Sequence, residues 1–332
     1  MKPIAAVLDL MPPASRRVIS DAFAGDFDVV FVDDDAADAK RAAAKGATVL
    51  LTMWGAVDAE TLAAGAPDVR LVQKLGVGTD KIDCDAAAAN GVVVLKAAGI
   101  NADAVAELTV LLILAVGRHF VRATAAARTG QIAKEALRAE SYQLLGKTVG
   151  LLGLGHIGQA VARRLAPFGV TLIYHDLRRA EPDVEASCSV RYASADEVIE
   201  TSDVISLHLP STPATDRIIS ADTLSRTKPG LILVNTARGS LIDEAALAAA
   251  ITDGHVLGAG LDVTAEEPMP VTSPLLQLER VVLTPHVGGA VANNFPRVIA
   301  RAYHNTRAVL DGGNVSPADI VTWPTAAAEP AP

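Results

Sequence analysis

Three apolar stretches of this chain each run out into residues that could do acid–base chemistry on a small anion. Leu231 to Asn235 leads into TARG, with Arg238 just past its end. Gly258 to Val263 leads into TAEEP, with Asp262 inside it and Glu266 and Glu267 beyond. Arg280 to Leu283 leads into TPHVGG, with His286. An arginine offers a planar fork that matches a carboxylate. A histidine is the side chain that can pass a proton near neutral pH. A carboxylate beside an imidazole favours its protonated form and fixes its tautomer. Taken singly, each residue has a plainer reading: a solvated arginine, a loop acid before proline, a histidine that bonds backbone. Together, at the carboxyl ends of late strands, where an open α/β sheet puts its ligands, they form a functional constellation by type.

Thr148 to Gly158, TVGLLGLGHIG, reads as a place for a dinucleotide. Thr148 to Leu152 reads as a buried parallel strand. Gly153, Gly155 and Gly158 follow in G-x-G-x-x-G spacing, then a helical pattern with Ile157, Val161 and Leu165 on one face. The first glycine permits a tight turn, the second lets a pyrophosphate approach the backbone, and the third lets helix pack on strand. The helix start presents N–H groups to the phosphates. That motif alone is weak evidence, so its setting matters. Val170 to Tyr174 reads as the next strand, and Asp176 stands eighteen residues after Gly158, placed to accept from the ribose hydroxyls of NAD. Arg178 and Arg179 could suit a 2′-phosphate, but Asp176 would repel it, so NAD is expected rather than NADP.

The bulk properties exclude other classes. The chain has 332 residues, half of them hydrophobic, and a net charge of −9. That length suits two domains, and the charge, with no basic patch, argues against a nucleic-acid partner. Cys84 and Cys188 are the two cysteines; they form no C-x-x-C and no metal-ligand spacing, and they fit a reducing compartment. Lys2 is followed by a short apolar run broken by Asp9, which does not resemble a secretory signal. The longest apolar helical stretch, Ala104 to Val116, contains Glu107 and is too short for a bilayer. A cytoplasmic protein without a membrane partner is expected.

The elements that must position these residues form two α/β halves. Residues 1 to about 98 alternate strands (Ile4–Leu8, Asp28–Val32, Thr48–Thr52, Leu71–Leu75, Val92–Leu95) with helices, a small flavodoxin-like parallel unit. A long apolar helix covers 103–118. The second half carries six expected strands, beginning at Thr148, Val170, Asp203, Leu231, Gly258 and Arg280, the number of a complete dinucleotide fold. From Ala290 to Leu310 the pattern is helical and is expected to return to the first domain. The expected fold class is therefore α/β, two Rossmann-like/flavodoxin-like parallel-sheet domains separated by a cleft. The boundaries are 1–99 plus 290–322 for a substrate domain and 100–289 for an NAD-binding domain that includes the 103–118 helix, with a flexible tail over 323–332.

At this point the chain resembles the D-isomer-specific 2-hydroxyacid dehydrogenase family, in the manner of phosphoglycerate dehydrogenases and glyoxylate or hydroxypyruvate reductases. The resemblance rests on KLGVGTDKID at 74–83, NADAVAELT at 101–109, GLGHIG at 153–158, HLPSTPAT at 208–215, NTARG at 235–239, LDVTAEEP at 261–268 and PHVGG at 285–289. It implies that Arg238 binds the substrate carboxylate and keto oxygen, that His286 is the acid/base, and that Glu267 rather than Glu266 is its partner. It implies that Val77 and Gly78 offer backbone N–H groups to the carboxylate. Thr109, Gly153, Gly155, His156, Ile157, Gly158, Asp176, His208, Pro210, Thr215, Thr236, Ala237, Asp262 and Gly288 would line the cofactor, with His208 and Pro210 on the adenine side and Asp262 at the carboxamide end. Trp54, in the loop after the third strand, would contact the substrate's side chain. The 103–118 helix would lie between domains and in a homodimer interface.

The implied reaction is NAD-dependent interconversion of a small D-2-hydroxy acid and its 2-keto acid. The formate-oxidising branch of the family carries Gln where Glu267 stands, so Glu267 favours hydroxyacid chemistry. The chain departs from many relatives at Ile132, where they carry Trp, and at Phe295 and Pro296 after the PHVGG motif. Both departures bear on the substrate. Other readings of the same scaffold are an NAD-sensing co-repressor-like binding protein and a phosphite dehydrogenase. The sequence leaves the particular 2-hydroxy acid, the pathway and the physiological direction open. Without the long C-terminal extension of some phosphoglycerate members, that substrate is less expected.

Overall fold

The computed structural model describes residues 1–131 and 134–324; Ile132 and most of the 323–332 tail lie outside the described residues. The chain divides into two units, 1–101 with 292–332, and 102–291.

The first unit begins with β1 (Ile4–Val7), α1 (Pro13–Phe23), β2 (Asp28–Phe31), α2 (Ala37–Ala44), β3 (Val49–Thr52), α3 (Ala59–Gly65), β4 (Leu71–Lys74), α4 (Cys84–Ala89) and β5 (Val93–Leu95). Strands β3, β4 and β5 are buried along their whole length; β5 is apolar throughout, while β3 closes on the buried Thr52 and β4 on the buried Gln73 and Lys74. The short helices start on side-chain caps: Asp58 accepts from the amide of Thr61 at 2.8 Å and Asp83 from that of Ala86 at 2.9 Å.

The second unit holds α5 (Ala102–Gly117), α6 (Phe120–Arg128), α7 (Lys134–Glu140), β6 (Thr148–Leu152), α8 (His156–Leu165), β7 (Thr171–His175), α9 (Pro182–Cys188), β8 (Val190–Tyr192), α10 (Ala195–Thr201), β9 (Val204–Leu207), α11 (Ala221–Ser225), β10 (Leu231–Asn235), α12 (Glu244–Thr252), β11 (Val256–Leu261) and β12 (Val281–Leu283). The chain then returns to the first unit through α13 (Phe295–Asp311) and β13 (Ile320–Thr322).

The first sheet runs β13-β5-β4-β3-β1-β2. Its parallel part has the flavodoxin order, and β13 adds an antiparallel edge on β5. Asp319, fully buried, ties that edge down: it accepts from the amide of Ala98, from Arg301 Nε and from Asn305 Nδ2 at 2.6–3.0 Å.

The second sheet is parallel, in the order β12-β11-β10-β9-β6-β7-β8. The order reverses at β6, which pairs with β7 on one side and β9 on the other. That crevice, at the carboxyl ends of the strands, is where open α/β sheets take their ligands. Seven strands stand where six were expected; the extra one, β8, is a three-residue edge strand too short to show a period in sequence. The helical pattern expected from Ala290 starts only at Phe295, with Pro296 in its first turn. Helix α5 packs on this second sheet through Leu112, Ile113 and Val116, which join Val149, Leu151, Ile232 and Val234 in one core.

Candidate active site

Strand β6 stops at Leu152, and the chain turns at once. The amide of Gly153 donates to the carbonyl of His175 at 2.8 Å, and that of Leu154 to Asp176 Oδ2 at 2.8 Å. The three glycines serve three needs. Gly153 has φ +99°, and a Cβ there would lie 2.5 Å from the carbonyl oxygen of His208. A Cβ on Gly158 would lie 2.4 Å from the carbonyl oxygen of Gly153, so helix and turn touch there. At Gly155 a Cβ would meet nothing within 4 Å. Gly155 is the N-cap of the ten-residue α8, and no side chain caps it. An uncapped helix start, facing open space across a bare backbone, fits a dinucleotide pyrophosphate. His156 and Ile157 form the first turn of that helix.

Asp176 follows β7 directly and is partly buried, with Oδ2 held by Leu154. Of the two arginines after it, Arg179 is paired in a fork with Glu185, Nε to Oε1 and Nη2 to Oε2, both 2.9 Å. Arg179, and then the Tyr174 hydroxyl at 2.8 Å, hold the Glu185 carboxyl down at about 2.

His208 follows β9. Its Nε2 lies 3.0 Å from Ser206 Oγ, while its buried Nδ1 has no partner among the described residues. Burial pushes this imidazole down to about 4, so it is neutral at neutral pH. Thr215 shapes the loop beyond: its hydroxyl donates to the carbonyl of Pro210 at 2.7 Å and accepts from the amide of Thr212 at 2.9 Å. The buried Thr109 hydroxyl donates to the Val105 carbonyl, which leaves the Thr236 hydroxyl to donate to it at 2.9 Å.

The residues expected to do acid–base chemistry follow three adjacent strands. Asn235, Leu261 and Leu283 stand side by side in register at the ends of β10, β11 and β12. Arg238, Glu267 and His286 follow those ends by three, six and three residues. His286 Nδ1 lies 2.9 Å from Glu267 Oε2. With a carboxylate as its partner, Nδ1 carries the proton and Nε2 is left for another partner. Arg238 is partly buried and its Nη1 donates to the carbonyl of Ala237 at 2.6 Å. A Cβ on Gly239 would lie 1.9 Å from the carbonyl carbon of Thr264, so the Arg238 turn and the loop leading to Glu267 touch backbone to backbone. Glu266 stays exposed, and its carbonyl accepts from the Thr264 hydroxyl at 2.7 Å.

His286 has φ +53°, a left-handed backbone that a non-glycine residue adopts only when held. Asp262 holds it. Its carbonyl accepts the amide of His286 at 2.7 Å. Its carboxylate accepts from Thr284 Oγ1 at 2.6 Å, from the amide of Val287 at 2.9 Å and from that of Gly288 at 2.8 Å. Asp262 and Gly288, expected beside the cofactor, thus form the clamp behind the histidine.

Asn235 was not singled out by sequence. Fully buried, its Nδ2 donates to the carbonyl of Arg238 at 2.8 Å and its Oδ1 accepts from the amide of Ala237 at 3.0 Å. The available signal was a polar residue closing the run LILVN. Trp54, Val77 and Gly78 lie in the first unit, after β3 and β4; Trp54 is exposed and the other two are partly buried. Among the described residues no group of three or more His, Cys, Asp or Glu could hold a metal ion, and no single helix is long and apolar enough to cross a membrane.

Residues 110–288 match the family model described as D-isomer specific 2-hydroxyacid dehydrogenase, NAD binding domain. The chain is 40% identical over 311 residues to D-3-phosphoglycerate dehydrogenase of Mycobacterium tuberculosis, covering 93% of this chain and 57% of that one. The chain thus spans little more than half the length of that relative. It is 41% identical over 244 residues to hydroxypyruvate reductase of Thermotoga maritima, covering 73% of this chain and 78% of that one. Among solved structures, the TT0316 protein of Thermus thermophilus superposes with a TM-score of 0.83 at 34% identity, covering 96% of this chain and 100% of the other.

Proposed function

Because this chain belongs to the D-isomer specific 2-hydroxyacid dehydrogenase family, we propose that it interconverts a small D-2-hydroxy acid and its 2-keto acid, with Arg238, Glu267 and His286 as its catalytic residues. The observation that carries this reading is the 2.9 Å pair between Glu267 and His286, set on strand ends adjacent to the one that presents Arg238. The bound dinucleotide would supply the hydride that the carbonyl carbon accepts.

Everything else falls to the chain. In the reducing direction His286 Nε2 gives its proton to the carbonyl oxygen as charge develops there, and Glu267 stabilises the imidazolium before transfer. Arg238 pins the carboxylate and faces the keto oxygen, which fixes the carbon face presented for reduction. Val77 and Gly78 are assigned as backbone donors to the same carboxylate, and Trp54 as the neighbour of the side chain. In the oxidising direction neutral His286 takes the hydroxyl proton.

The cofactor proposed is NAD. Two features support this reading: the Asp176 carboxylate would repel a 2′-phosphate, and Arg179 is already engaged by Glu185. Gly153, Gly155, His156, Ile157 and Gly158 are assigned to the pyrophosphate, and Thr109, His208, Pro210, Thr215, Thr236 and Ala237 to the rest of the dinucleotide. We also assign a homodimer and a cytoplasmic setting. Leu111, Phe120 and Val121, on the consecutive helices α5 and α6, are 49–60% exposed, an apolar surface that a second copy would cover. Both cysteines are free thiols, as in a reducing compartment.

A panel of glyoxylate, hydroxypyruvate, pyruvate and 3-phosphohydroxypyruvate, each with NADH and with NADPH, tests the activity. Turnover of at least one with NADH, and slower turnover with NADPH, is expected. Binding of NADH without turnover of any of the four would leave a cofactor-sensing role instead.

A further inference from the structure

Glu244 opens helix α12, six residues after Arg238. An acid in the first turn of a helix ordinarily answers the helix dipole. This one also reaches out of the helix: its Oε1 accepts the amide of Ala265 at 2.7 Å, in the loop that leads to Glu267. The amide just before it, that of Thr264, donates to Glu267 Oε1 at 3.4 Å, while Glu267 Oε2 faces His286 Nδ1 at 2.9 Å. Two consecutive amides of one loop thus go to two carboxylates, one assigned to the reaction and one not. Hydrogen bonds to an ionised acceptor are the strong ones.

The support from which Glu244 reaches is firm. Asp243 caps α12 by accepting from the amide of Ala246 at 3.1 Å, and Leu247 and Ile251 are buried in the core beneath. The segment between Arg238 and the helix is held as well: the carbonyls of Ser240 and Leu241 accept the amides of Arg217 and Ile219 at 2.8 and 3.0 Å. The loop on the other side is less supported. Ala265, Glu266 and Glu267 are exposed, and Glu244 and Ala265 both line a surface hollow of about 480 Å³, so that side of the loop is open. Exposed loops are ordinarily the mobile part of an α/β unit, yet this one carries the carboxylate that must stay aligned on His286. We infer that Glu244 is a positioning residue: by holding the amide of Ala265 it keeps the Glu267 carboxylate on the imidazole, and it ties that pair to the segment that presents Arg238. The inference rests on the proposed roles of Glu267 and His286 and adds the group that keeps them aligned. Without the tether, Thr264 and Ala265 can swing toward the hollow and carry Glu267 off the ring, and small displacements at a reacting group are costly.

The test is a cycle in the full chain: Glu244→Ala, Glu267→Gln and the two together, with Glu244→Gln as the conservative variant. Three quantities are read: kcat and KM for the best 2-keto acid, and NADH affinity by fluorescence titration. Glu244→Ala is expected to lower kcat by about tenfold or more while KM and NADH affinity stay within about twofold, the pattern of an interaction needed only in the transition state. Glu244→Gln, which keeps an uncharged acceptor for the Ala265 amide, should recover most of the loss. In the Glu267→Gln background the same alanine substitution should cost less than about twofold, because the group it aligns is already gone. A kcat for Glu244→Ala within about twofold of the parent overturns the inference. So does an equal loss in both backgrounds, which would make Glu244 a support of α12 alone. Failure of the functional reading looks different: Glu267→Gln would itself match the parent, or no 2-keto acid would turn over. Should Glu244→Ala fail to fold, Glu244→Asp, which keeps the charge at the helix start but shortens its reach, gives the same readings through the same cycle.

Discussion

Gly239 and Thr264 are packed so closely that a methyl group on the glycine would sit 1.9 Å from the threonine's carbonyl carbon. The contact joins the turn that presents Arg238 to the loop that leads to Glu267. Gly239→Ala must therefore part the two segments. A displacement near 1 Å at a reacting group costs about 10²-fold. The variant should lose kcat/KM on that scale while NADH affinity, read by fluorescence titration, stays within a few-fold. Unaltered turnover would mean that the contact does not set the distance between guanidinium and carboxylate.

Gly155 and Gly158 make a controlled pair. At 155 a side chain would enter open space; at 158 it would strike the carbonyl of Gly153 at 2.4 Å. Gly155→Val should keep its melting temperature within a few degrees and weaken NADH binding by at least about tenfold, because it fills the space a pyrophosphate needs. Gly158→Val should lose stability outright, since backbone cannot yield there. Calorimetric melts with parallel NADH titrations separate the two, and a Gly155→Val protein that binds NADH normally would move the phosphates elsewhere.

His208 gives a pH dependence of stability. Its folded-state value, near 4, lies below the ordinary 6.5 because burial disfavours the charged ring. Between those values the unfolded chain binds a proton that the folded chain refuses. Its contribution is thus full above pH 6.5 and is lost as pH falls from 6.5 to 4. The loss amounts to about 3 kcal/mol at most. His208→Gln should flatten that part of the acid limb in urea titrations at pH 7, 6, 5 and 4. An acid limb identical to that of the parent would mean the ring is charged in the folded state.

Much of this was legible in the chain, and the reasons are particular. Val149–Leu152 and Leu231–Val234 are unbroken runs without a polar side chain because parallel strands are covered on both faces. The glycine spacing survives translation into geometry because Gly153 and Gly158 each answer a separate backbone contact, while Gly155 leaves open space at the helix start. His286 and Glu267 could be paired only through the family resemblance; nineteen residues of sequence separate them, and it is the register of β11 beside β12 that brings their loops together. The polar clamps were not legible. Asp9 and Asp262 act on backbone amides of other segments and Asn235 on the turn that follows it, so no periodicity marks them. The edge strands β8 and β13, three residues each, owe their pairing to tertiary contact. Helices α6 and α7 have no buried residue among those described, and so show no apolar stripe.

The central claim is that His286, aligned by Glu267, moves the proton of the carbonyl group. Single-turnover oxidation of NADH by the best 2-keto acid, followed in parent and His286→Ala protein at saturating concentrations, tests it most directly. The expected result is a rate lower by about 10²–10⁴-fold, what acid–base catalysis contributes, with NADH affinity unchanged and Glu267→Gln falling between the two. A His286→Ala rate within about tenfold of the parent would contradict the assignment and require another group to carry the proton.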